Sequence, residues 1–234
     1  MSLRYFVTGT DTEIGKTTIA AGLLHAARAR GLSTAAVKPV AAGCERTVEG
    51  LRNDDALTLQ AECSPPLAYE LLNPVALEPA IAPHIAAAEA GIELTVGQLA
   101  QACFKVFEQR AGLTLVEGAG GWRVPLSERQ TLADLAIALG EPVILVVGLR
   151  LGCINHALLT AEAIAADGLK LAGWVANQVD PQMDRQQHNL DTLKALMPAP
   201  LLGVVPRLTP LTSAGVAGYL QLDALLDTTS GLSF

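Results

Sequence analysis

The sequence predicts an α/β protein with a mostly parallel sheet covered by helices on both faces. Three observations lead there. Half of the 234 residues are hydrophobic and only 4% are aromatic, so a large core has to be built from Ala, Val, Leu and Ile, which suits helices packed on buried parallel strands. Short apolar runs alternate with longer stretches whose apolar positions recur three and four apart, the pattern of successive β-α crossovers. Near the start, a strand leads through a loop ending in Gly15-Lys16-Thr17 into a helical stretch, the order that a phosphate-binding loop requires.

Six runs read as strands of one sheet: Leu3 to Val7, Thr34 to Val37, Leu113 to Val116, Val143 to Val147, Ala172 to Ala176 and Leu202 to Val205. Between them, helices are predicted over Lys16 to Arg30, Asp54 to Glu62, Thr95 to Arg110, Leu132 to Leu139, Asn155 to Ala166 and Met183 to Leu196, with a further one near Leu220 to Leu226. Pro65, Pro66, Pro74, Pro79 and Pro83 interrupt Ser64 to Gly91. That stretch is expected to be an irregular excursion with a short helix around Ile85 to Glu89, of the kind that often forms binding loops. No linker, repeat or low-complexity tract appears, so residues 1–234 are predicted to form a single nucleotide-binding domain.

The charge balance is 16 basic against 23 acidic residues, a net charge of -7, with no cluster of Lys and Arg. This argues against nucleic acid or an anionic membrane as partner. The strongly apolar stretch Val143 to Leu149 stops at Arg150, far short of the roughly 20 residues of a membrane span. The amino end lacks a long apolar segment with a small-residue cleavage site, so the expected location is the cytoplasm. Cys44, Cys63, Cys103 and Cys153 have neither disulfide-like nor zinc-like spacing and read as reduced thiols.

In Thr8-Gly9-Thr10-Asp11-Thr12-Glu13-Ile14-Gly15-Lys16-Thr17-Thr18, backbone N–H groups would cradle phosphates. Lys16 would reach the outer ones and the Thr17 hydroxyl would sit on Mg²⁺. The fold is therefore P-loop NTPase-like, although Gly9 stands one residue earlier than the generic G-x-x-x-x-G-K-[ST] pattern asks. Asp11 and Glu13 would repel a polyphosphate unless turned toward a metal or a cationic co-substrate. Asp11 also occupies the place of the signature lysine of the dimeric deviant-loop ATPases that partition plasmids or place division sites, which makes that switch function less fitting.

Other candidates fall at predicted strand ends, where parallel sheets open onto a ligand crevice. Glu117, followed by Gly118-Ala119-Gly120-Gly121, suits a Mg²⁺ ligand with glycines that allow close approach. Lys38 follows the second strand; taken alone, a surface lysine is the commoner reading. Asn53-Asp54-Asp55 reads on spacing as a helix cap. Asn177 could pair with the edge of adenine, while Asn177-Gln178-Val179-Asp180 leaves open a guanine-binding arrangement that lacks its lysine. Gly152-Cys153-Ile154-Asn155 opens a helix, with Asn155 as expected N-cap and its amino terminus able to hold a carboxylate. Cys153, Trp122 and Trp174 read as packing groups, and the four histidines lack ligand spacing.

Together these motifs resemble those of the ATP-dependent dethiobiotin synthetases. The resemblance rests on the phosphate loop with its early Gly9, Lys38-Pro39-Val40, Leu51-Arg52-Asn53 with Asp55, Val116-Glu117-Gly118-Ala119-Gly120-Gly121-Trp122, Leu151 to His156 and Gly173 to Asn177. It covers residues 3 to about 206. It implies ring closure of diaminononanoate with CO₂ and ATP, giving dethiobiotin, ADP and phosphate. By resemblance Lys16 and Lys38 stabilise the γ-phosphoryl group, Thr12 lies near the carbamate, and Thr17, Asp55 and Glu117 hold Mg²⁺. Asn177, with Gln178 beside it and Pro206, Arg207 and Leu208 closing the base site, reads adenine; Glu13, Ile14, Gly15, Thr18, Gly118, Ala119 and Gly120 surround the nucleotide. The family forms a homodimer in which Gly152 to Asn155 would meet the substrate carboxylate bound mainly by the other chain. Ala42, at the substrate site, stands where the family usually has Ser or Thr, and Arg207 where it often has an aromatic residue. The competing reading is a nucleotide-dependent switch or metallochaperone GTPase on the same fold.

Overall fold

The computed structural model describes residues 2–226. Strand β1 (Leu3–Gly9) leads through the phosphate loop to helix α1 (Lys16–Ala29) and edge strand β2 (Thr34–Val37). The chain then makes β3 (Val40–Ala41), the antiparallel hairpin β4 (Glu45–Thr47) and β5 (Gly50–Arg52), α2 (Asp54–Ala61), α3 (Tyr69–Leu72), β6 (Val75–Ala76) and α4 (Pro83–Glu89). It returns to the sheet through α5 (Val96–Phe107), β7 (Leu113–Glu117), α6 (Leu132–Leu139), β8 (Val143–Gly148), α7 (Cys153–Ala166), β9 (Leu171–Asn177), α8 (Gln186–Leu196) and β10 (Leu201–Val205). Helices α9 (Ser213–Ala217) and α10 (Asp223–Leu226) close the described chain.

All six expected strands lie in one parallel sheet of order β10-β9-β8-β1-β7-β2. Every residue of β7 and β8 is buried, which is why both read as unbroken apolar runs rather than alternating ones. Alternation nonetheless sorts β8 between the two faces. Ile144 and Val146 join the large cluster with α1, α5 and α6, whereas Leu145 and Val147 join Trp174 and the α7 and α8 residues Ala157, Ala161 and Leu193.

β1 sits inside the sheet between β7 and β8. The chain leaves it toward the β2 edge, and after β8 advances toward the β10 edge, so a crevice opens at the carboxyl ends of these strands. Gly9, Lys38, Glu117, Gly148 and Asn177 all fall at that edge.

Several local expectations are corrected. The cap of α2 is Asn53, whose side chain accepts from Ala56 N, so Asp55 lies inside the first turn and is free for other contacts. Helix α7 starts at Cys153 with Gly152 as N-cap in the left-handed region (φ 94°), and Asn155 lies in its first turn instead of capping it. Helix α8 starts at Gln186, three residues later than expected, because Arg185 at φ 54° interrupts the turn before it. The Ser64 to Gly91 excursion is more ordered than its prolines implied: α3, β6 and α4 lie within it, and β6 pairs with β3. Helix α9 went unpredicted although Thr212 caps it. It packs on α1 so closely that a Cβ on Gly22 would come 2.4 Å from Val216 Cγ1.

Candidate functional site

The phosphate loop is built around the buried side chain of Ile14, which lies over the ends of β1 and β8. A Cβ on Gly9 would stand 2.6 Å from Ile14 Cδ1, and one on Gly148 would stand 2.7 Å from Ile14 Cγ2. A side chain at Gly9 would therefore displace Ile14 from over the strand end. Gly15 adopts φ 84°, a conformation that side chains resist. A Cβ there would meet Asn177 Nδ2 at 2.3 Å. Asn177 Nδ2 itself donates to Ile14 O at 2.8 Å. Asn177 thus braces the loop with one of its amide hydrogens, a role that the adenine reading did not include.

Lys16 Nζ donates back across the loop to Asp11 O at 2.9 Å. Its burial lowers its pKa to about 8, an effect that the Glu117 carboxylate partly opposes. The carboxylate of Asp11 is ion-paired with Arg150, just beyond β8. The expectation that Asp11 needs a metal or a cationic co-substrate to balance it is therefore corrected: the chain supplies its own cation. Glu13, at the tip of the loop with φ 57°, is exposed and lines the cleft.

The centre of the site is a charge cluster in which Lys38 and Glu117 are buried and Asp55 is half exposed. Lys38 Nζ donates to Glu117 Oε1 at 2.6 Å and to Asp55 Oδ2 at 2.8 Å, and Thr17 Oγ1 donates to the same Glu117 oxygen at 2.7 Å. Burial alone would lower the Lys38 pKa, but the two carboxylates outweigh it and hold the ammonium above its usual range. Partial burial of Asp55 would raise its pKa, yet Lys38 pulls it below the ordinary carboxylate value. The commoner reading of Lys38 as a surface lysine is thereby excluded, since only 4% of the residue is exposed.

The donor set fits Mg²⁺. Glu117 Oε2 is buried without a hydrogen-bond partner, and Thr17, Asp55 and Glu117 offer hard oxygen ligands to an ion that binds few carboxylates and keeps room for phosphates and water. No group of three or more His, Cys, Asp or Glu placed to hold a metal occurs among the described residues.

A cleft of about 800 Å³ lies over this cluster. It brings together Thr12, Glu13, Gly15, Lys16, Thr17, Thr18, Lys38, Ala42, Asp55, Ala119 and Gly120. Its far wall is made by Ala80, Ile81, Ala82 and Pro83, from the excursion expected to form a binding loop, together with Arg123, Val124 and Pro125, which the sequence did not single out. Arg123 is held by Asp167 at 2.8 Å, which also accepts from Trp122 Nε1 at 2.7 Å. Trp122 packs edge-on against Phe6, and Trp174 is buried, so both tryptophans are packing groups as expected.

Other candidates lie outside the cleft. Glu117 and Gly118 are beneath its floor, and the Ile14 side chain points into the core. Asn177, Gln178, Pro206, Arg207 and Leu208 form a separate group at the ends of β9 and β10, where Gln178 N donates to Val205 O. Gly152, Cys153, Ile154 and Asn155 do not line the cleft. There Gly152 and Asn155 are exposed next to a Leu151 that is 90% exposed, while Cys153 is buried. The cysteines are free and buried, and burial pushes Cys63 up to about 11 and Cys103 up to about 12, which keeps both as thiols.

Because Lys16 has a pKa of about 8 before any anion arrives, nucleotide binding should take up a proton above that pH. The ammonium is present below pH 8 and is lost as pH rises, so ATP affinity should be about tenfold weaker at pH 9 than at pH 7. Calorimetry in buffers of different ionisation enthalpy measures this proton uptake; an affinity flat across that range would contradict it.

Residues 3–214 match a family model described as an AAA domain. In fold the chain is similar to the MinC:MinD cell division protein complex of Aquifex aeolicus (TM-score 0.60, 14% identity, 100% of this chain and 97% of that one). It is also similar to the septum site-determining protein MinD complexed with Mg-ADP from Pyrococcus horikoshii (0.55, 16%, 98% of each). Against chloroplast FtsY from Physcomitrella patens the TM-score is 0.53 at 16% identity, over 96% of this chain and 63% of the FtsY chain. These likenesses establish a P-loop NTPase fold and nothing narrower. Sequence relatives are far nearer: the ATP-dependent dethiobiotin synthetase BioD of Pseudomonas paraeruginosa is 66% identical over 221 residues, covering 94% of this chain and 97% of the relative. That of Cellvibrio japonicus is 58% identical over 223 residues, covering 95% and 97%. With the fold, the phosphate loop and the full length in agreement, the chain belongs to the ATP-dependent dethiobiotin synthetase family.

Proposed function

We propose that this chain closes the ring of 7,8-diaminononanoate with CO₂ at the expense of ATP, releasing dethiobiotin, ADP and phosphate. The observation that carries this reading is the Lys38 ammonium, buried between Glu117 and Asp55 and next to the phosphate loop. A bare hydrolase or switch has no evident use for a second buried lysine contributed from outside the loop.

One substrate amine takes up CO₂ as a carbamate, placed by Thr12 and by the backbone around Ala42. A carbamate oxygen attacks the γ-phosphorus and ADP leaves; the second amine then attacks the carbamoyl carbon and phosphate leaves. Lys16 and Lys38 lie on two sides of the transferring group, where fixed positive charge matters most because negative charge on its oxygens is spread in flight. Thr17, Asp55 and Glu117 would hold Mg²⁺, which would offset the charge of the outer phosphates. The backbone N–H groups of Glu13 to Thr18 and the loop Gly118 to Gly120 cradle the phosphates. Asn177, Gln178 and Pro206 to Leu208 form the base site. We treat 1–234 as one domain, since these groups converge on one sheet edge.

A homodimer completes the reading. The start of α7, Gly152 to Asn155, does not line its own cleft and would meet a substrate carboxylate in the partner's. No described helix is long and apolar enough to cross a membrane, and we place the reaction in the cytoplasm with its small-molecule substrates.

The test is ADP release in bicarbonate buffer with and without the diamine. Release is expected to depend on diaminononanoate and to match dethiobiotin formed; hydrolysis indifferent to the diamine would sink the proposal. The switch or metallochaperone reading is not favoured. Asp11 stands in place of the deviant-loop lysine and is paired with Arg150, and Gln178 replaces the lysine of the guanine-binding arrangement.

A further inference from the structure

The irregular excursion after Ser64 contains a hydrogen-bonded ring around Lys38 that the reaction just proposed does not itself call for. Lys38 is held at both backbone groups by the end of α3: its N–H donates to Leu72 O at 2.8 Å, and its carbonyl accepts from Asn73 Nδ2 at 2.7 Å. Asn73 Oδ1 in turn accepts from the Tyr69 hydroxyl at 3.0 Å, and the same hydroxyl accepts from Asn53 N–H at 2.8 Å. Asn53 caps α2 and so sets its first turn, where Asp55 meets Lys38 Nζ at 2.8 Å. The path thus leaves the Lys38 backbone, passes through two buried side chains and a helix cap, and returns to the Lys38 ammonium.

We propose that Tyr69 and Asn73 are positioning residues that fix Lys38 and Asp55 relative to one another, on the reading that these two act on the γ-phosphoryl group and its metal. The chemistry of the ring requires these side-chain types. Position 69 has to donate and accept at once, which a phenol does and a phenyl does not. Position 73 has to accept from the phenol and donate to a carbonyl, as a carboxamide does. Asn53, Tyr69 and Asn73 are all buried, so a broken link leaves polar groups unsatisfied and the ring relaxes rather than finding water. Outside the ring, Arg52 lies 4.1 Å over the Tyr69 ring face, a contact that phenylalanine would keep.

The test compares Tyr69→Phe and Asn73→Ala with Leu193→Ala, a cavity variant in the remote cluster between α7 and α8. Rates are counted per ADP-binding site, so misfolded protein drops out. In both ring variants kcat per site should fall about 10–100-fold, the usual cost of losing a partner of a site's ligands. ADP affinity without Mg²⁺ should stay within about twofold of wild type, because the phosphate loop is outside the ring. The gain in ADP affinity that Mg²⁺ confers, measured by calorimetry without turnover, should shrink. Leu193→Ala should lower the melting temperature and leave all three quantities unchanged. Ring variants that match wild type per site, or that yield no ADP-binding protein at all, overturn the positioning role. Absence of diamine-dependent turnover in the wild type would instead count against the proposed reaction, and the calorimetric arm would still judge the ring.

Discussion

Lys38→Ala should lower kcat about 10²–10³-fold, the loss seen when one preorganised donor to a developing oxyanion is removed. It should also destabilise the protein, because Lys38 is the ammonium that compensates Glu117, a carboxylate 1% exposed and bonded to it at 2.6 Å. Leaving such a charge uncompensated costs about 3–5 kcal/mol, which in a chain of this length corresponds to about 6–20 °C in melting temperature. Nucleotide affinity should change much less, since Lys38 is contributed by the end of β2 and not by the phosphate loop. Stopped assays of dethiobiotin formation together with thermal melts measure both effects. A variant that melts early but retains wild-type kcat would show that Lys38 serves only to neutralise Glu117.

Glu117→Gln separates charge from structure in the same cluster. Glutamine keeps an acceptor for Thr17 Oγ1 and Lys38 Nζ, the two groups that bond to Glu117 Oε1, and Asp55 remains to balance the lysine. The melting temperature should therefore move by no more than about 4 °C. Activity should respond strongly, because the side chain that carries the unpartnered Oε2 has lost its charge toward a divalent cation. We expect kcat/KM to drop at least about 100-fold at fixed Mg²⁺, given that even the partners of metal ligands cost about 10–100-fold. The half-saturating Mg²⁺ concentration should rise in step. An unchanged Mg²⁺ requirement would remove Glu117 from the metal site.

The site was partly legible in the chain because much of it is local. Strand, loop and helix around Gly15-Lys16-Thr17 follow one another without interruption, and a parallel sheet places its strand ends on one edge, so Lys38, Glu117 and Asn177 could be placed at that edge from order alone, although a surface lysine was the commoner reading of Lys38 and Asn177 stands apart from the cleft. Spacing alone did not place Asp55 there, since it favours a cap; the family resemblance made it a metal ligand, and the Asn53 cap geometry, with Lys38 reaching across from β2, sets it inside the site. Arg150 was no more visible, since its partner Asp11 is 139 residues away in sequence. Tyr69 and Asn73 lie in a proline-broken stretch with no periodicity to interpret, and their bonds to Asn53 and Lys38 join segments that no local pattern connects.

What the sequence determined by itself is the α/β class, the six parallel strands and the phosphate loop. These follow from short-range rules: burial on both faces makes strands uniformly apolar, and a helix amino terminus after a glycine turn makes an anion site. The tertiary structure decided which charges neutralise which. Asp11 is balanced by Arg150, and Lys38 by Glu117 and Asp55, because a charge is settled by whatever opposite charge the fold brings within a few ångströms, and that distance is not written in the order of residues.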